Sequence, residues 1–534
     1  MTSTTQQYAR SILGRSREPM EPVDYVVDWD DAPLRNAVYR GVRRIPLPAG
    51  PGAAAPWRDL DRCLRASYAP FTRRTRITPN TGAEHMQTVQ GAIYGRGSAS
   101  GGGMYPVELY LVVGSGTGVP AGVYHYSSGH HMLDVLLVGD VRERVRTALG
   151  EEAGADGLPP VYVLAAVNFW KNAFKYNSFC YHVVTSDIGT LFGAWREVGP
   201  APDVRLWFDE DDLDDLLGLD PDLESVFAVV PWGADADAPG RPAAPELDAG
   251  RAASTVPARV QATSVQRSRR TEVFAWNRAV QQDMLADDGP GPARTPDLEP
   301  LTGLEVAATL PAGRPATRDA LPGAVAGRHS AFGLFTSQGG VTQQEIADLL
   351  ACAGGERLVP LPGQRDVTGL LRLSVFANHV AGLAPGAYHH DPATGDLLQV
   401  PGEAVHPFLQ YAYYLTNYNL EQAAAVIAVS GRPEAVIGEV GPRGYRLVNA
   451  ELGAVCQRTY LAAQALGLGC GVVFGFDNVA VRERLGRAGT DEWPLLLMMV
   501  GRERTGAAQF RYVLPTAPDP AAAADRLVAT GGAR

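Results

Sequence analysis

With 534 residues the chain is too long for a single core and predicts two or more domains. Its 46% hydrophobic and 20% charged residues fit an ordinary soluble globular protein, expected in the cytoplasm. A net charge of −11 argues against a nucleic-acid binder, and no apolar run suits a membrane span or signal peptide.

In chain order, residues 1–39 specify little and read as an N-terminal extension. The first sharp motif is Ser98-Ala-Ser100-Gly101-Gly102-Gly103-Met104-Tyr105-Pro106-Val-Glu108. Three successive glycines let the backbone approach a ligand closely and aim N–H groups at it. A strand follows them where a dinucleotide fingerprint needs a helix, so that fold is not implied. Val107–Val113 and Val161–Val167 are short apolar strands. After them come the chain's two lysines, Lys171 and Lys175; every other basic residue is arginine. A guanidinium stays charged, whereas a desolvated ammonium can lose its proton. Lys175 beside Tyr176 is therefore a candidate proton-transfer pair, and Lys171 is expected at the surface. Tyr181, Val184, Ile188, Leu191 and Trp195 keep helical spacing, and that helix stops before Gly199. The acidic run Asp209–Asp215 reads as a solvated helix start rather than a calcium loop.

Residues 234–325 read as a linker, with Ala/Pro/Gly-rich stretches at Ala234–Val265 and Gly289–Pro315 and room for a short helix over 266–285. Beyond it, Leu371–Phe376 and Ala424–Val429 are strands, and Leu452, Val455, Thr459 and Leu466 mark a helix ending at Gly467. Tyr411, Tyr413, Tyr414, Asn417, Tyr418 and Asn419 cluster where they line either a cleft or an interface. The pairs His130–His131 and His389–His390 sit in hairpin-like segments and are expected to be solvated. The five cysteines are scattered without a Cys-x-x-Cys, so reduced thiols and no metal site are expected.

The two halves answer each other. Gly118-Val-Pro-Ala-Gly122-Val-Tyr124-His125 matches Gly382-Leu-Ala-Pro-Gly386-Ala-Tyr388-His389, 264 positions later. The same offset carries Tyr181 to Tyr445 and Gly189 to Gly453; at 268 it carries Phe208-Asp209 to Phe476-Asp477. A collinear series with one drift signifies duplication. The expected fold class is α+β, with tandem domains over 40–233 and 326–515 and a tail over 516–534.

The combination of Ser100-Gly-Gly through Tyr105-Pro106-x-Glu108, Gly118 to Tyr126, and Lys175-Tyr176 ahead of a long helix resembles the nitroreductase-like flavoproteins, specifically the SagB-type azoline dehydrogenases. The resemblance implies bound FMN and an intramolecular pseudo-dimer of nitroreductase-like domains. It implies oxidation of thiazoline or oxazoline rings in an azoline-containing precursor peptide, as in thiopeptide-like pathways, alongside a cyclodehydratase. It assigns the flavin site to Ser100, Gly101, Gly102 and Gly103 from the first half, with Arg328-His329-Ser330 and Phe474-Gly475-Phe476 from the second. Arg502 and Arg504 are further phosphate candidates, and Lys175 and Tyr176 form the catalytic pair. The reciprocal set is eroded: Arg43-Arg44-Ile45 lacks the serine, Trp207-Phe208-Asp209 the glycine, Gln364-Arg365-Asp366-Val367 falls opposite Ser100–Gly103, and Glu439-Val440 opposite the pair. One working flavin site is therefore expected. The competing readings are an NAD(P)H-dependent nitro- or quinone reductase and a non-catalytic scaffold of a peptide-modifying complex.

Overall fold

Two antiparallel sheets of matching strand order frame the molecule. The first comprises β1 (Val107–Val113), β2 (Gly122–Ser127), β3 (Met132–Val138), β4 (Val161–Asn168) and β5 (Glu224–Trp232), in the order β5-β4-β1-β2-β3. The second comprises β6 (Leu371–Ala377), β7 (Gly386–His390), β8 (Asp396–Val400), β9 (Ala425–Gly431) and β10 (Trp493–Glu503), in the order β10-β9-β6-β7-β8. The computed structural model describes residues 2–49, 53, 55–70, 72–78, 88–89, 93–152, 157–233, 257–287, 289–315, 320–402, 405–504 and 509–513; the expected linker stretch 234–256 and the tail 516–534 lie outside them.

Successive side chains of a strand point to opposite faces, and here both faces are apolar. In β1, Val107, Leu109 and Leu111 enter one core while Tyr110 and Val112 enter another. In β9, Ala425, Ile427 and Val429 face one core and Val426 and Ala428 a second. Between the sheets lie two long helices.

The helices that matter here are α1 (Thr4–Gly14), α2 (Trp170–Tyr176), α3 (Cys180–Val198), α4 (Ala275–Leu285), α5 (Pro433–Val440), α6 (Arg443–Ala465) and α7 (Asn478–Arg484). α3 is buried from Cys180 through Trp195 and α6 from Arg443 through Ala463, as central helices must be. They cross backbone to backbone. A Cβ on Gly189 would lie 1.8 Å from the Ala450 carbonyl oxygen, and one on Gly453 would lie 1.9 Å from that of Ser186.

The N-terminal extension proves ordered over α1, whose start is fixed by a capping box between Ser3 and Gln6. The expected linker contributes α4 and a strand, Val306–Thr309, that pairs with β8. Gln509–Val513 returns to pair with Thr72–Thr78. The expectation of solvated histidines fails at His389, which is buried between the Ser374 hydroxyl (2.8 Å) and the Leu485 carbonyl (3.0 Å). Among the described residues no helix is long and apolar enough to cross a membrane, and no cluster of ligands could hold a metal ion.

Candidate active site

The glycine-rich segment forms a single tight turn ahead of β1. Gly102 (φ 63°) and Gly103 (φ 68°) occupy the left-handed region that side chains disfavour. Asp187 of α3 ties the turn down: its carboxylate accepts from the Ser100 hydroxyl (2.6 Å) and the Gly101 N–H (3.0 Å), while Tyr105 N–H donates to Ser100 Oγ (2.8 Å). Burial pushes the Asp187 carboxyl up to about 7, against the pull of those two donors. The second half clamps the approach. Gln457 of α6 accepts from Ala99 N–H and donates to the Gly97 carbonyl, each at 2.9 Å, and Arg328 donates to the Arg96 carbonyl at 3.0 Å.

Lys175 and Tyr176 end α2 directly above this turn. A Cβ on Gly102 would lie 2.5 Å from Tyr176 Oη and 2.7 Å from Lys175 Nζ. Only a glycine leaves that space open. Among the described residues the Lys175 amine has no hydrogen-bond or ion-pair partner. Desolvation, with the nearby Arg35 charge, lowers its pKa. Burial raises that of the Tyr176 phenol, assisted by Asp187 and Tyr413, so the phenol keeps its proton.

Lys171 is not at the surface. It is buried in an ion pair with Glu108 and also donates to the Tyr105 carbonyl at 3.4 Å. Although burial works the other way, Lys171 and His125 hold the Glu108 carboxyl down to about 2. The two lysines share one stripe of α2, which runs along the segment from Gly102 to Glu108, one amine at each end.

The Phe474–Asp477 element of the second half meets this pair through aromatic contacts. Tyr176 and Phe179 ring centroids are 6.4 Å apart, and Phe474 lies 6.2 Å from Phe179 and 5.0 Å from His182. A Cβ on either Gly103 or Gly475 would meet nothing within 4 Å, so both glycines border open space. Phe476, by contrast, is fully buried and bridges to Tyr413.

An N-terminal strap on this element was not foreseen. Arg15 donates to the Phe474 carbonyl and to Asn478 Oδ1 (2.9 Å), with its guanidinium 4.6 Å from the Phe179 ring centre. Ser16 and Arg17 each bond Asp477 at 2.8 Å. The Ser3-x-x-Gln6 capping pattern was the one signal that could have revealed an ordered start.

Arg328, His329, Ser330, Arg502 and Arg504 gather at the end of β10, where Phe335–Thr336 pairs with Arg502–Glu503. Ser330 bonds Tyr460 Oη at 2.9 Å, and His329 pairs with Glu503 at 2.9 Å. Arg502 pairs with Glu345 at 2.7 Å, and Arg504 donates to the Gly333 carbonyl.

The Nitroreductase family profile matches residues 325–502. A protein of Methanocaldococcus jannaschii named as a nitroreductase is 32% identical over 166 residues, which are 30% of this chain and 82% of that protein. The chain belongs to the nitroreductase family. Another relative, the trifolitoxin-processing protein TfxB of Rhizobium leguminosarum bv. trifolii, is 29% identical over 139 residues, covering 24% of this chain and 37% of that one. A crystal structure from Anabaena variabilis, described as a nitroreductase, aligns with a TM-score of 0.71 at 22% identity over 94% of this chain and 100% of its own. At that identity it shows the fold: the mixed helix and sheet of the nitroreductase type.

Proposed function

We propose that this member of the nitroreductase family is an FMN-dependent dehydrogenase that oxidises thiazoline or oxazoline rings of a ribosomally made peptide to thiazole or oxazole. The observation that carries the reading is an amine of lowered pKa, without a hydrogen-bond or ion-pair partner among the described residues, set with a phenol against Gly102. A reductase of flat acceptors needs no such base. The name of the trifolitoxin-processing relative supports a role in peptide maturation; the partners that go with this reading are a precursor peptide and a cyclodehydratase.

The residues present fit FMN. Gly103 and Gly475 both border open space, with the Lys175 and Tyr176 side chains over the adjoining Gly102, and Ser100 and Ser330 carry hydroxyls in the two flanking segments. Arg328, Arg502 and Arg504 are the candidate phosphate donors, each of which would have to share a guanidinium now bonded to the Arg96 carbonyl, Glu345 or the Gly333 carbonyl. When bound, FMN supplies the hydride acceptor. The chain's own residues do the rest. Lys175 takes the proton from the ring carbon next to the one that loses hydride, which leaves the new double bond in the ring, and returns that proton to solvent. Tyr176, still protonated, donates a hydrogen bond that orients the ring.

We further infer that the two sheets descend from duplicated domains and form a pseudo-dimer. Gly189 and Gly453, equivalent by the 264-residue offset, meet at its centre. Mass spectrometry tests the activity: each azoline oxidised loses two hydrogens. Lys175→Ala is expected to retain flavin while turnover falls roughly 10²- to 10⁴-fold. A near-normal rate in that variant would remove the base from the mechanism.

A further inference from the structure

The structure sets a fixed, exposed indole beside the candidate base. Trp29 is 58% exposed, and its ring centre lies 6.0 Å from Lys175 Nζ. Single exposed apolar side chains are commonplace and mean little alone. This one is held from several sides. Asp28 caps its turn by accepting from Asp30 N–H (3.1 Å) and Asp31 N–H (3.3 Å). The Asp31 carboxylate accepts from the N–H groups of Arg269 (2.8 Å) and Arg270 (3.2 Å), and Ser268 Oγ donates to the Asp31 carbonyl (2.7 Å). Trp170 of α2 reaches the same Ser268 hydroxyl at 2.9 Å. On α2 itself, Phe174 packs edge-on against the indole at 5.3 Å, and the Tyr25 hydroxyl donates to the Phe174 carbonyl at 2.7 Å.

The segment carrying Trp29 is thus bound to the helix that carries Lys175, and the two side chains keep their spacing. The amine has Gly102 on one side and the indole face on another. The exposed indole thus offers a surface within 6.0 Å of the amine.

We propose that Trp29 is a specificity-determining residue that stacks against the substrate's five-membered heterocycle and holds it within reach of Lys175. The proposal rests on the azoline dehydrogenase reading. It adds that the enzyme distinguishes cyclised from uncyclised peptide at a residue outside both sheets. The partly saturated azoline ring would bury its apolar edge and face against the indole, so removing that contact should cost roughly two- to tenfold in affinity.

The test uses the flavin-loaded full chain, a fluorescently labelled azoline-containing precursor peptide, and the same peptide with its rings uncyclised. Wild-type protein is expected to bind the azoline form more tightly. Trp29→Leu should weaken azoline binding by about fivefold and leave uncyclised binding unchanged, whereas Trp29→Phe should stay close to wild type. Azoline binding by Trp29→Leu within about 1.5-fold of wild type, or an equal loss for both peptides, would overturn the proposal. The two-hydrogen mass loss catalysed by wild-type protein is read separately. Its presence with an unaffected leucine variant refutes the role of Trp29 alone, and its absence refutes the dehydrogenase reading and the proposal with it.

Discussion

Asp187 shows how one buried side chain can tie local chemistry to pH. It anchors Ser100 and Gly101 from below, yet burial raises its carboxyl to about 7, well above the value of about 3.9 it has when unfolded. Between those values the folded chain holds a proton that the unfolded chain does not. Its stabilising contribution is therefore complete below about pH 4 and is lost as pH rises through about 7. Asp187→Asn cannot titrate, so its melting temperature should fall less than that of wild type between about pH 5 and pH 8. Identical slopes would show that the carboxyl does not govern this window. The turn itself was legible because three glycines and two lysines stand out in composition. Asp187 and Gln457 were not, since their bonds to the turn join residues 86 and 358 positions apart. Lys171 was misplaced for a related reason: its partner Glu108 lies across the sheet, out of view of local pattern.

At the level of elements, the crossing of α3 and α6 decides whether the site's two sides meet at all. Gly189→Ala would drive a methyl group to 1.8 Å from a backbone carbonyl, which cannot swing aside as a side chain could. The helices would have to separate, at a cost of about 3 kcal/mol or more. Gly193→Ala, whose methyl would lie 3.1 Å from the Ala454 Cα, is the milder neighbour. Thermal melting should rank Gly189→Ala well below Gly193→Ala; equal melting points would mean that the crossing is not close-packed. The apolar spacing of Leu452 to Leu466 revealed only the later turns of α6. Its first turns carry Arg443, Arg446, Asn449 and Glu451, which look like surface residues. They are buried because Glu210 pairs with both arginines and the backbone of Leu358 and Val359 satisfies Glu451.

Across the whole molecule, the halves share a strand order but not their chemistry. Glu451 stands 264 positions after Asp187 and also accepts two donors, here the N–H groups of Leu358 and Val359 at 2.8 Å each. Those residues, rather than Gln364–Val367, take the place of the glycine turn. Gln364 lies in the returning strand of a hairpin, where its amide accepts from Thr295 N–H at 2.7 Å and donates to the Thr295 carbonyl at 2.8 Å. With chain segments filling that position and Glu439-Val440 in place of Lys-Tyr, one flavin per polypeptide is expected by absorbance against protein mass. Two per polypeptide would contradict it. The shared strand order was foreshadowed by collinear glycines and aromatics. The hairpin of Glu356–Leu361 and Gln364–Asp366 was not, because the 264-residue offset sets no matching motif against it.

The strap formed by Arg15, Ser16 and Arg17 has a consequence for biosynthesis. The groups they bond, in Phe474, Asp477 and Asn478, lie 459 to 463 positions further along the chain. The strap can therefore close only after the segment from Phe474 to Asn478 has itself emerged, so this contact forms late relative to the residues that make it.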